Sequence, residues 1–163
     1  MDIVDICQKA GRDELEYGFL MDCLSGYASP RAKVTQLIKS GDLIRVKKGL
    51  YLVGKKHQKD LICSELWANK IYGPSYISLE YALSFYGLIP EHVFLVTSVT
   101  SKRKKNFITP IGNFSYAYLP LKLYSVGYAL LELNQRQSAL IASPEKALAD
   151  LFYFRKFDVQ LLK

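Results

Sequence analysis

Cysteine is scarce in this chain, three in 163 residues, and Cys7, Cys23 and Cys63 stand far apart among apolar neighbours. A disulfide framework or a zinc site needs cysteines paired at short spacing, so neither is expected. The three thiols read as reduced core residues of a cytoplasmic protein. Histidine is scarcer still, and His57 and His92 belong to no metal-binding pattern. No apolar run approaches the roughly 20 residues that a membrane-spanning helix requires, so no membrane partner is expected. The N-terminus MDIVDICQKAG has two early acids and no basic segment, unlike a signal peptide. Phosphate-cradling loops of the G-x-x-x-x-G-K-S/T and G-x-G-x-x-G types do not occur, and no nucleophile–base motif is recognisable. The expectation is a protein that is not an enzyme and uses no cofactor and no metal.

What is present is a globular composition, half hydrophobic and 23% charged, with a net charge of +7. The charge is unevenly placed. From Ser29 to Lys59 nine basic residues (Arg31, Lys33, Lys39, Arg45, Lys47, Lys48, Lys55, Lys56 and Lys59) face one acid, Asp42, a net of +8. The remainder of the chain holds 13 basic and 14 acidic residues, a net of −1. Concentrating the excess in one stretch is the distribution of a polyanion-binding surface.

Apolar spacing predicts a helix over 2–10 stopped by Gly11, and a second over 13–25 with Leu15, Phe19, Leu20, Cys23 and Leu24 on one side. A third opens with Ser29 as N-cap and Pro30 at its first position, and ends near Gly41. DLIRV and LYLV then read as two strands joined by KKG, where Gly49 can take the positive φ that the turn needs. Three helices followed by a basic hairpin is the element order of a winged helix-turn-helix.

On the third helix Val34, Leu37 and Ile38 should face the core. Arg31, Ala32, Thr35, Gln36 and Lys39 spread over the opposite arc, with Lys33 on the flank. That arc carries no carboxylate. Arginine suits guanine edges, glutamine suits adenine, and lysine or threonine can hold phosphates. An isolated solvated helix can look the same, but the adjoining hairpin with Arg45, Lys47 and Lys48 turns the reading towards DNA. A wing of this kind touches the phosphate backbone or the minor groove. Beyond it, GKKHQK reads equally as an extension of the basic track, through Lys55, Lys56 and Lys59, or as a solubilising linker.

From Asp60 onward the composition changes. Helices are expected over 60–73, capped by Asp60, and over 78–87, capped by Ser78. A strand follows over 92–100, then a charged loop SKRKKN, then one or two strands around a turn at Pro110–Asn113. Ser143 and Pro144 open a last helix. The expected fold class is α+β, a winged helix-turn-helix at 1–56 followed by a small mixed α+β domain at 60–163.

Three clusters in the second domain bear on function. Lys102, Arg103, Lys104 and Lys105 form a candidate secondary polyanion contact, although charged hairpin loops are usually only solvated. Tyr72, Tyr76, Tyr81, Phe85 and Tyr86 read mainly as core, with one or two left for a partner. Glu145, Lys146 and Asp150 share residue types with nuclease sites, but Glu145 directly after a Ser-Pro cap fits a helix first turn better.

Taken as a set, SPRAKVTQLIKSGDLIRVKKGLYLV, ANKIYGPSYISLEYALSFYGLIPE, TSVTSKRKKNF, GNFSYAYLP and IASPEKALADLFY resemble the AbiEi-family antitoxins, in the same order and over most of residues 17–155. The resemblance implies a winged helix that binds promoter DNA and represses its own operon. It also implies a C-terminal domain that counters a nucleotidyltransferase-like toxin, in a type IV toxin–antitoxin system linked to phage defence by abortive infection. Carried onto this sequence, the DNA role falls on the helix from Arg31 to Lys39 and on the wing residues Arg45, Lys47 and Lys48. Relatives continue well past the PEKALAD segment, so the second domain is expected to be a shortened version. The alternatives are a stand-alone winged-helix regulator and an interaction module whose basic patch docks an acidic protein.

Overall fold

The computed structural model describes residues 1–156. Their seven helices and two sheets make a mixed α+β protein, divided into two compact units, Met1–Ile62 and the chain from Cys63 onward. No helix among the described residues is long and apolar enough to cross a membrane.

The first unit opens with α1 (Ile3–Ala10), which is capped at both ends. The Asp2 carboxylate accepts the Asp5 N–H at 2.9 Å, and the Asp5 carboxylate accepts the Asp2 N–H at 3.1 Å. Gly11 closes the helix at φ 67°. The stretch expected to be one helix over 13–25 divides instead into β1 (Glu14–Glu16) and α2 (Tyr17–Cys23). Its first residues pair antiparallel with a later strand, Leu15 opposite Tyr51, and that ladder overrides the helical spacing.

Helix α3 (Pro30–Lys39) follows, with Pro30 at its first position. Ser29 occupies the N-cap, but its hydroxyl makes no capping bond there. Past Ser40, Gly41 turns the chain at φ 78°, and the Asp42 N–H donates to Leu37 O at 2.9 Å. The hairpin β2 (Leu43–Lys47) and β3 (Leu50–Val53) completes an antiparallel sheet of order β1-β3-β2. Ile3, Ile6, Cys7, Leu15, Leu20, Leu24, Val34, Leu37, Leu43 and Val53 close over one core. Each buried aliphatic side chain of this size contributes about 2 kcal/mol.

The segment after the hairpin is fastened to this unit. Asp13, itself buried, accepts the N–H groups of Lys59 and Asp60 at 2.8 and 2.9 Å. The Gln58 amide donates to Val53 O at 2.8 Å, and the Lys59 ammonium donates to Cys7 O at 3.3 Å. Lys59 thereby reaches back to the unit's own backbone, although it is exposed like Lys55 and Lys56. Asp60 caps no helix; the expected helix begins only at Ser64.

The second unit comprises α4 (Ser64–Ile71), β4 (Ser75–Ile77), α5 (Leu79–Phe85), β5 (Val96–Thr100), β6 (Lys105–Thr109) and β7 (Gly112–Tyr118). After these come α6 (Leu121–Tyr124), β8 (Tyr128–Glu132), β9 (Ser138–Ala142) and α7 (Pro144–Arg155). The strand expected over 92–100 is thus confined to Val96–Thr100. The turn expected at Pro110–Asn113 is narrowed to Pro110–Ile111 between two strands, and Ser143 caps α7 by accepting the Lys146 N–H. The strands form one mixed sheet of order β6-β7-β5-β4-β9-β8, with β4/β9 and β5/β7 parallel. Asn69 on α4 bridges it, accepting the Leu140 N–H at 2.6 Å and donating to Ser75 O at 3.4 Å.

Candidate nucleic-acid interface

Helix α3 presents two different faces. Val34 and Leu37 are buried and Ile38 is half-buried, whereas Arg31, Ala32, Thr35, Gln36 and Lys39 are exposed and Lys33 is partly so. The exposed side chains are not equally available. Thr35 Oγ1 donates to Arg31 O at 3.1 Å, so its proton is committed within the helix and it offers outward only a methyl and an acceptor oxygen. The Lys33 ammonium donates to Gln36 Oε1 at 3.3 Å and lies 5.4 Å from the Tyr27 ring centre. That bond uses one acceptor of the Gln36 amide and leaves its two N–H donors.

The hairpin supplies the second surface. Leu43, Val46 and Leu50 are buried, and Arg45 and Lys48 project to solvent with Lys47 partly exposed. A register shift between Arg45 and Lys47 bends β2 just before its tip, and Gly49 closes the turn at φ 86°.

Tyr17, at the start of α2, connects the two surfaces. Its N–H donates to Gly49 O at 2.9 Å, fixing the hairpin tip. Its hydroxyl oxygen accepts Arg31 Nε at 3.1 Å, fixing the first cation of α3. Sequence reasoning did not find Tyr17. Its role depends on contacts 14 and 32 residues away, which no local pattern reports.

Arg31, Lys33, Lys39, Arg45 and Lys48 are in no ion pair among the described residues. The one acid of the stretch is held locally: Ser40 Oγ donates to Asp42 Oδ2 at 2.6 Å, and His57 Nε2 lies 3.2 Å from Asp42 Oδ1. The Ser40 hydroxyl, with His57 second, holds the Asp42 carboxyl below its ordinary range. Glu14 and Glu16 lie on β1, separated from β2 by β3. Five cations of the interface, Arg31, Lys33, Lys39, Arg45 and Lys48, thus keep their charge unpaired among the described residues.

The other sequence candidates lie in the second unit. Lys102, Arg103 and Lys104 form the loop between β5 and β6, Lys105 opens β6, and all four are exposed. Of the aromatic group, Tyr76 is buried, Tyr72, Tyr81 and Tyr86 are half-buried, and only Phe85 is largely open.

Glu145 is exposed in the first turn of α7, where backbone N–H and the Ser143 hydroxyl lower its pKa. Lys146 and Asp150 form a buried pair at 2.7 Å. Tyr76 and Ser78 also donate to Asp150 Oδ2, at 3.1 and 2.8 Å, and the Lys146 ammonium donates to Leu123 O at 2.7 Å. Burial, with Asp150 second, raises the Tyr76 phenol far above its ordinary range, so it remains a hydrogen-bond donor. These groups satisfy one another and fasten α7 to β4. Among the described residues, no three His, Cys, Asp or Glu side chains gather as a metal site. No family model matches the chain, and no curated protein matches it.

Proposed function

We propose that the chain is a repressor that binds double-stranded promoter DNA through its first unit, which we read as a winged helix-turn-helix. The order α1-β1-α2-α3 followed by the β2–β3 hairpin supports that reading. The observation that carries it is the pair of cationic surfaces, on α3 and on the hairpin, tied together by Tyr17, with Arg31, Lys33, Lys39, Arg45 and Lys48 in no ion pair among the described residues. In this reading the exposed face of α3 enters the major groove, about 12 Å wide. Arg31 and Gln36 read base edges there. Lys33 and Lys39 hold phosphates, and Arg45, Lys47 and Lys48 grip the flanking backbone.

The resemblance to AbiEi-family antitoxins supplies the rest of the proposal. The repressed operon is the chain's own, and its second partner is a nucleotidyltransferase-like toxin. The second unit, from Cys63 onward, is the part assigned to that partner.

Binding to an inverted-repeat fragment of the chain's own promoter tests the DNA half. Six phosphate contacts would give a log–log salt slope of about −5. Lys48→Ala should weaken binding to all sequences and reduce that slope by about one, while Gln36→Ala should chiefly relax base preference. Affinity that is absent, or insensitive to salt, overturns the proposal. The toxin half is tested separately by co-expression with a nucleotidyltransferase encoded beside the chain. Restored growth supports it, and unrelieved arrest reduces the protein to a stand-alone regulator.

A further inference from the structure

The β6–β7 hairpin forms one edge of the second unit's sheet. Strand alternation places Lys105 and Phe107 of β6 on the same face as Phe114, Tyr116 and Tyr118 of β7. Tyr72, just past α4, lies against that face. Its ring centre is 5.8 Å from that of Phe107 and 5.2 Å from that of Tyr116. The aromatic group grades from packed to open: Tyr116 is buried, Tyr72 and Phe107 are half-buried, and Tyr118 is 51% exposed. Tyr72 and Tyr118 border an open groove of about 880 Å³, whose other walls are Ser101, Lys102, Arg103 and Lys104.

The cations here are held by rings and backbone. Lys102 and Lys105 place their ammonium groups 5.8 and 5.7 Å from the Tyr72 ring centre, and Lys105 lies 5.2 Å from that of Phe107. None of Lys102, Arg103, Lys104 and Lys105 forms an ion pair among the described residues. The loop is pinned: the Tyr72 hydroxyl donates to Arg103 O at 3.1 Å, and the Lys102 N–H donates to Thr100 Oγ1 at 3.2 Å. An ordinary solvated loop requires neither bond.

A groove with an open aromatic face, three uncompensated cations in its walls and Lys105 beside it suits a ligand with flat rings and several negative charges. Duplex DNA offers the charges but conceals its base faces, and an anionic lipid headgroup has no flat ring. We propose that this groove binds single-stranded nucleic acid, one base stacking on Tyr118 while Lys102, Arg103, Lys104 and Lys105 take the neighbouring phosphates. The site is distinct from the first unit's duplex-binding surface and does not depend on that reading.

The test is fluorescence anisotropy of the full chain with short labelled oligo-dT and oligo-rU, which also shows whether DNA or RNA is the natural form. Tyr118→Leu should weaken binding about tenfold, the effect of losing one stacked base. A base-free (abasic) strand of the same length should bind about tenfold more weakly to the wild type, with no further loss in Tyr118→Leu. Arg103→Ala with Lys104→Ala should weaken binding and flatten its salt dependence. Arg45→Ala with Lys48→Ala, in the first unit, should change it no more than about twofold. Binding unaffected by Tyr118→Leu overturns the proposal. So does an abasic strand that binds as well as oligo-dT, or a duplex or phosphatidylserine vesicle that competes as well as the single strand.

Discussion

Arg31 reaches from α3 to α2, its Nε donating to the Tyr17 hydroxyl at 3.1 Å. The bond restrains a long side chain at the interface while its terminal nitrogens remain able to donate. Tyr17→Phe removes the bond and keeps the backbone link to Gly49. An exposed hydrogen bond is worth about 1 kcal/mol, so duplex affinity should fall about fivefold. The same bond contributes to the first unit's folding, so the melting temperature should fall by a few degrees at most. Anisotropy and circular dichroism on the same variant check both halves.

Gly54 packs where the end of α3 meets the start of β2. A Cβ there would overlap the Gly41 carbonyl oxygen, and the Gly54 N–H donates to Asp42 O at 2.8 Å. Gly54→Ala should therefore destabilise the first unit by about 3 kcal/mol, as backbone cannot yield as a side-chain tip can. Gly41→Ala meets open space but a φ of 78°, and should cost only about 1–2 kcal/mol. Urea denaturation of the two variants separates close packing from backbone conformation.

Asp42 predicts an acid dependence. Its carboxyl is held below the ordinary value of 3.8, first by the Ser40 hydroxyl and then by His57. A lowered folded-state pKa stabilises the fold above the unfolded value, and that contribution is lost as pH falls through the folded one. Asp42→Asn should therefore flatten the first unit's stability profile below about pH 4. Urea midpoints collected from neutral pH downward provide the comparison, and an unchanged profile would remove Asp42 from the account.

Lys146 and Asp150 give a test within the second unit. Lys146→Met leaves a carboxylate only 2% exposed without its cation, which should cost about 3 kcal/mol. The double substitution Lys146→Met with Asp150→Leu should recover part of that loss, because it removes the orphaned charge as well. Denaturant midpoints of the single and double variants decide it. A Lys146→Met variant as stable as the wild type would mean that Tyr76 and Ser78 suffice for Asp150.

Helix α3 was legible in the sequence because its face is set by local periodicity. Val34 and Leu37 are buried and Arg31, Gln36 and Lys39 exposed, where the helical wheel places them. The hairpin was legible for a similar reason, since Gly49 sits between two apolar runs. Strand β1 was not: Leu15 fits a helix stripe with Phe19 as readily as an alternating strand, and only pairing with β3 decides between them. Strand β8 was hidden because most of its residues are exposed, giving no alternation to read. Asp60 looked like a cap, but the buried Asp13 carboxylate takes its N–H. At the candidate sites the charges were visible in advance and their restraints were not. Tyr17 and Tyr72 act on residues that only the fold brings near.

The short strand β4 lies between β5, about twenty residues later in the chain, and β9, which follows only after some sixty. During synthesis at about 5–20 residues per second, one border of β4 stays open for several seconds after β5 has been made. Over that interval the nascent chain presents an unsatisfied strand edge, a template for wrong pairing with other chains. Correct maturation of the second unit should therefore be more sensitive to the pace of translation and to chaperone supply than that of the first, whose sheet is complete by Val53.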